Sequence, residues 1–175
     1  MRKLIVFNQV SLDGYFTDAD GDMSWAHKQD AEWNAFVAEN AKSGGELLFV
    51  AEQMNNLPKI VFSRTLDKAS WNNTKLVGGD LAAEIRKMKN EPREQMVIMG
   101  SGTIVSQLTA EGLIDEYQIV VNPIVLAKGR TMFEGIKRKL NLKRTKTRTF
   151  GNGERLTVLR ADNVRSALAY LVLRF

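Results

Sequence analysis

A strand-like run, Met96-Val97-Ile98-Met99, passes directly into Gly100-Ser101-Gly102-Thr103 and then into a helical pattern from Ile104. A glycine turn set between a strand and a helix aims backbone N–H groups at an anion, with the helix dipole behind them. Glycines let the backbone approach a diphosphate closely. Gly100, Ser101, Gly102 and Thr103 are therefore candidate phosphate-binding residues, although such turns also serve simply to join a strand to a helix. A second candidate lies in Val61-Phe62-Ser63-Arg64-Thr65-Leu66, where a strand end delivers a hydroxyl beside a guanidinium. Ligands of open α/β sheets bind along the carboxyl edge. Arginine forms charge-assisted, often bidentate bonds to phosphate, so Ser63 and Arg64 suit a ribose 2′-phosphate. The plainer alternative is a solvent-exposed turn. A third candidate is Asn8-Gln9-Val10-Ser11-Leu12-Asp13-Gly14, where polar groups leave the first strand; they either line a site or form an Asx turn.

What the chain lacks narrows the chemistry. It has no cysteine, which excludes disulfides, thiolate nucleophiles and Cys-ligated metals. His27 is its only histidine and sits in a polar stretch, so a site with a pair of His ligands cannot form within the chain. Asp18-Ala19-Asp20-Gly21-Asp22 resembles a calcium loop only superficially, because the terminal bidentate Glu is missing. Hydride transfer is left as a natural candidate, since there the cofactor carries the chemistry and the protein positions it. The net charge of +5 is modest, with Lys137-Arg138-Lys139 and Lys143-Arg144-Thr145-Lys146-Thr147-Arg148 as its basic clusters. A nucleic-acid surface would interleave aromatics for stacking, and only Phe150 is near, so a solvated strand face is the better reading.

The elements that must position these groups follow from hydrophobic patterning. The chain of 175 residues suits one domain, 1–175, with a sizeable core. Lys3–Gln9 reads as a buried first strand, not a signal peptide, because no long apolar region or cleavage site follows. No run approaches the roughly 18–20 apolar residues of a membrane span. A cytoplasmic protein without membrane partners is expected. Asp30–Lys42 reads as an amphipathic helix ended by Gly44-Gly45, with Trp33 and Phe36 inward. Strands are expected at Glu46–Phe49, Lys59–Phe62, Thr74–Val77, Met96–Met99 and Tyr117–Val121. Asp80 caps a helix over Leu81–Lys89, and a second helix runs from the glycine turn to Gly112. Leu142–Phe150, bounded by Gly151-Asn152-Gly153, reads as the first arm of a hairpin. The whole is an α/β sheet with parallel pairs and a C-terminal antiparallel hairpin. One link is anomalous. If Glu46–Phe49 and Lys59–Phe62 are parallel neighbours, the crossover Val50–Pro58 has only nine residues. A βαβ crossover needs at least about 10–12.

Taken together, Val10-Ser11-Leu12-Asp13-Gly14-Tyr15, Phe62-Ser63-Arg64-Thr65-Leu66 and Met99-Gly100-Ser101-Gly102-Thr103-Ile104 form a recognisable order. Leu113-Ile114-Asp115-Glu116-Tyr117, Asn122-Pro123-Ile124-Val125-Leu126 and Gly129-Arg130-Thr131-Met132-Phe133 extend it. Over residues 1–153 the chain resembles the dihydrofolate-reductase-like proteins related to the C-terminal reductase domain of the bifunctional riboflavin-biosynthesis deaminase/reductase. The resemblance implies a mixed, mostly parallel sheet with flanking helices, and NADPH as cofactor. Gly100, Ser101, Gly102 and Thr103 would hold its diphosphate, and Ser63 and Arg64 its adenosine 2′-phosphate end. Val10 and Ser11 would lie near the nicotinamide and a small-molecule substrate, with Asp13 and Gly14 shaping the loop over the site. A homodimer is also implied.

The activity implied is reduction of a pyrimidine- or pterin-like molecule. It would be of the 5-amino-6-(5-phosphoribosylamino)uracil reductase or the dihydrofolate reductase type. Hydride would pass to a C=N or C=O bond, with a proton from water or a carboxylate. Asp13 and Glu116 are the candidate catalytic residues; Asp30 is a weaker one, because helix-start carboxylates usually cap. The chain departs from the family twice. Relatives follow the strand at Leu47-Leu48-Phe49 with Gly-Arg-x-Thr-Tyr-Glu and a helix, whereas here Val50-Ala51-Glu52-Gln53 follows. That loss makes a non-catalytic relative, keeping the fold without the cofactor, the alternative reading. Glu154–Arg160 can serve as the closing strand, but the apolar tail 161–175 has no counterpart in the family.

Overall fold

The computed structural model describes residues 1–28, 30–42 and 56–162. The expected helix end at Gly44-Gly45, the strand Glu46–Phe49, the start of the short connection after it, and the tail from position 163 lie outside the described residues. The chain order is β1 (Leu4–Ser11), β2 (Tyr15–Thr17), a 3-10 turn (Ser24–Ala26), α1 (Ala31–Lys42), β3 (Lys59–Phe62) and β4 (Thr74–Val77). It continues through α2 (Leu81–Lys89), β5 (Met96–Met99), α3 (Gly102–Ala110), β6 (Glu116–Asn122), β7 (Arg130–Thr131), β8 (Leu142–Thr149) and β9 (Arg155–Ala161).

Every residue of β1 is buried, as a near-continuous apolar run demands of a central strand covered on both faces. It lies inside a five-stranded sheet of order β5-β1-β6-β9-β8. β1 pairs in parallel with β5 and β6, and β9 runs antiparallel to β6 and β8. The mixed α/β sheet and its C-terminal hairpin are thus as the patterning predicts. The hairpin turns at Gly151-Asn152-Gly153, where the Gly153 N–H donates to the Phe150 carbonyl at 3.0 Å. Burying an apolar side chain such as Leu4 or Val6 contributes roughly 1.5–3 kcal/mol.

Alternation along β1 splits the core. Leu4, Val6 and Val10 join Val105, Leu108 and Tyr117 on one side, whereas Phe7 joins Trp33, Phe36 and Phe150 on the other. On that second side α1 is fixed at its start. The Asp30 carboxylate accepts from the Trp33 N–H at 2.7 Å, and Trp33 meets Phe150 edge-on at 4.9 Å. Arg148 bonds Glu32 and covers the rings of Phe36 and Phe150. On the first side, Asp80 caps α2 through the Ala83 N–H. Lys89, at the end of α2, pairs with Asp115, which also accepts the Leu4 N–H at 2.6 Å. Asp115 therefore fastens α2 to the amino end of β1. β3 and β4 form a separate parallel pair, with Phe62 packed on the first core. β8 is largely exposed at the sheet edge, where Lys143, Arg144 and Lys146 discourage pairing with another chain.

Candidate functional site

The carboxyl ends of β1 and β5 lie side by side, Phe7 opposite Met99. β5 runs out into Gly100 and Ser101, with φ of 75° and 56°. These left-handed residues reverse the chain into α3, and nothing lies within 4 Å of where a Cβ on Gly100 would stand. A serine at positive φ is uncommon, and such strain clusters at ligand sites. Ser101 occupies the cap position, its hydroxyl accepting a long bond from the Ile104 N–H at 3.4 Å. A cleft of about 550 Å³ opens against the start of α3, lined by Ser101, Gly102, Thr103, Arg130 and Glu134 among others. The helix supplies its first unbonded N–H groups to this cleft, and Arg130 is the cation on its wall. That combination suits a phosphate or diphosphate.

The far wall comes from a small flap that patterning did not foresee. β2 and β7 pair antiparallel, and Phe16 and Thr131 both line the cleft. Arg130 and Thr131 belong to the Gly129-Arg130-Thr131-Met132-Phe133 motif, which is the signal the sequence carries for them.

The remaining expected residues are distributed unevenly. Val10 is buried in the first core, and Ser11 is 1% exposed. The Ser11 hydroxyl donates to Asp13 at 2.6 Å and accepts from the Tyr15 N–H at 3.0 Å, so it shapes the turn into β2. Ser63 and Arg64 follow β3 and are not among the cleft residues. The Ser63 hydroxyl accepts from the Thr65 and Leu66 N–H groups, while Arg64 is exposed. Glu116 stands at the amino end of β6, away from the strand ends that carry the cleft. It is buried and accepts from Gln118 at 2.9 Å and from Arg160 at 3.0 Å.

Asp13 is a clip. Its oxygens accept from the Leu126 N–H at 3.2 Å and the Ala127 N–H at 2.8 Å, bridging the β1–β2 turn to the loop before β7. Ala127 sits at φ 64°, a conformation this bond helps to hold. The Ser11 hydroxyl, then the two loop N–H groups, keep the Asp13 carboxyl below its ordinary range against the opposing effect of desolvation. Asp13→Ala is expected to speed amide exchange at Leu126 and Ala127 while leaving β6 protected. Unchanged exchange at both amides would count against the clip.

The sequence profile of the RibD C-terminal domain family matches residues 2–156. The uncharacterized protein YyaP of Bacillus subtilis is 24% identical over 173 residues, covering 87% of this chain and 91% of the relative. A solved deaminase/5-amino-6-(5-phosphoribosylamino)uracil reductase of Thermotoga maritima superposes with a TM-score of 0.64 at 14% identity. That match covers 91% of this chain and 56% of the larger protein. The dihydrofolate reductase of Enterococcus faecalis, solved with NADP(H) and RAB-propyl, superposes with a TM-score of 0.60 at 12% identity. There the coverage is 92% of this chain and 97% of that one. At such identities the structures establish the shared fold.

Proposed function

The chain belongs to the RibD C-terminal domain family, and within it we propose an NADPH-dependent reductase of a pyrimidine- or pterin-like small molecule. The observation that carries this reading is the cleft at the glycine turn, lined by the start of α3 and by Arg130. When bound, NADPH supplies the hydride for a C=N or C=O bond. Gly102 and Thr103 would offer backbone N–H groups to its diphosphate, and Arg130 would offset the charge. The open side of Gly100 admits that approach. Ser63 and Arg64 are assigned to the 2′-phosphate, for which a guanidinium at a strand end is suited. Asp13 is held ionised and Glu116 stands at the amino end of β6, away from the cleft, so the proton is assigned to water.

The absence of a Gly-Arg-x-Thr-Tyr-Glu stretch after Phe49 favours a second reading, a relative that keeps the fold without the cofactor. Titrating NADPH into the protein, followed by nicotinamide fluorescence, decides between them. Saturable micromolar binding is expected. Arg130→Ala should weaken it about tenfold or more, the usual scale for a lost hydrogen bond to a charged group. Arg64→Ala should remove the preference for NADPH over NADH. A folded protein that binds no NADPH would sink the reductase reading and leave the second.

A further inference from the structure

β1 places an amide where its pattern calls for an apolar side chain. Alternation puts Asn8 on the same face as Leu4, Val6 and Val10, all of which belong to the first core. Asn8 is 4% exposed. A buried amide without partners is costly, so its bonds must account for its presence. The Gly100 N–H donates to Asn8 Oδ1 at 2.9 Å, and Asn8 Nδ2 donates to Met132 Sδ at 2.8 Å. The Gly100 N–H fixes which end of the amide faces the turn, because only the oxygen can accept.

We propose that Asn8 is a positioning residue that sets the glycine turn for its anion. The inference rests on reading the cleft as the diphosphate site. The Gly100 N–H is already engaged by Asn8, so it is not a ligand donor; Gly102 and Thr103 are left to face the anion. The same side chain reaches Met132, the residue after Thr131 of β7. Thr131 O and the Phe16 ring both crowd Gly102, at 3.1 Å and 2.7 Å from where its Cβ would be. One amide thus ties the end of β1 to the glycine turn on one side and to the flap that walls the cleft on the other. A hydrophobic residue at position 8 would fill the core as well, but would leave the Gly100 peptide free to rotate.

Asn8→Leu tests this by amide exchange, melting temperature and NADPH titration together. The expected result is faster exchange at Gly100 through Thr103 with β6 still protected, and NADPH binding weakened at least about tenfold. Unchanged NADPH affinity in a folded Asn8→Leu protein would overturn the proposal while leaving the reductase reading intact. A general loss of protection across β1 and β6 would also overturn it, since that marks a purely structural role. No NADPH binding by the wild type removes both. If Asn8→Leu does not fold, Met132→Leu, which removes the sulfur acceptor and keeps an apolar side chain of similar size, is expected to weaken NADPH about threefold, again on the scale of one modest bond. An unchanged affinity there would overturn the proposal.

Discussion

Replacing Gly129 by alanine is expected to break the β2–β7 flap and lower stability by about 2–4 kcal/mol. A Cβ at this position would lie 1.9 Å from the Thr17 carbonyl oxygen, 3.0 Å from its carbonyl carbon and 3.2 Å from Tyr15 Cβ. Backbone is the obstacle, so no side-chain rotation relieves it. The φ of +154° adds a conformation that an alanine rarely adopts. Thr17 pairs directly with Arg130, the next residue, so relief requires the strands to separate. Phe16 and Thr131 would leave the cleft wall with them, and Arg130 would lose its aim. Urea unfolding gives the stability, and NADPH titration should show affinity falling in parallel. A loss below about 1 kcal/mol would mean that the flap is loose enough to yield, and that it does not define the cleft.

That flap also marks where the sequence stops being readable. β1, β5 and β6 announce themselves as apolar runs, and Asp80 and the glycine turn mark the starts of α2 and α3, because each signal is local. β2 and β7 have three and two residues, too few for any period to register. Their existence depends on pairing Tyr15 with Thr131 across most of the chain. Carboxylates show the same limit. Asp13 and Glu116 are recognisable as acids wherever they stand. Their roles are set by Leu126, 113 positions from Asp13, and by Arg160, 44 positions from Glu116. Asn8 reads as a polar strand end until the register shows that it faces the core. The candidate site was thus legible in its glycine turn, and illegible in the side chains that fold back onto it.

Glu154 opens the closing strand in the sequence, and its burial predicts a pH-dependent stability. It has 0% exposure, and among the described residues neither carboxylate oxygen has a hydrogen-bond partner. It lies just before the Val121–Arg155 pair of β6 and β9, and its N–H donates to Asn152 Oδ1 at 3.0 Å. Burial pushes its carboxyl above the ordinary value of 4.5; the Asn152 side chain and the Lys28 charge pull the other way, and Asp30 adds to the rise. An acid whose folded pKa is raised costs nothing below the unfolded pKa. The cost grows as pH rises past that value and is complete once pH exceeds the folded one. Wild-type stability should therefore fall as pH rises past the ordinary carboxyl value of 4.5. Glu154→Gln cannot ionise. It is expected to match the wild type near pH 4 and to exceed it by about 1–3 kcal/mol near pH 8, the scale of an unpaired buried polar group. Parallel stability curves for the two proteins would show that the carboxylate finds a partner or water when it ionises. Curves that converge at low pH would instead make Glu154 a neutral acid in the folded protein, its backbone N–H held by Asn152.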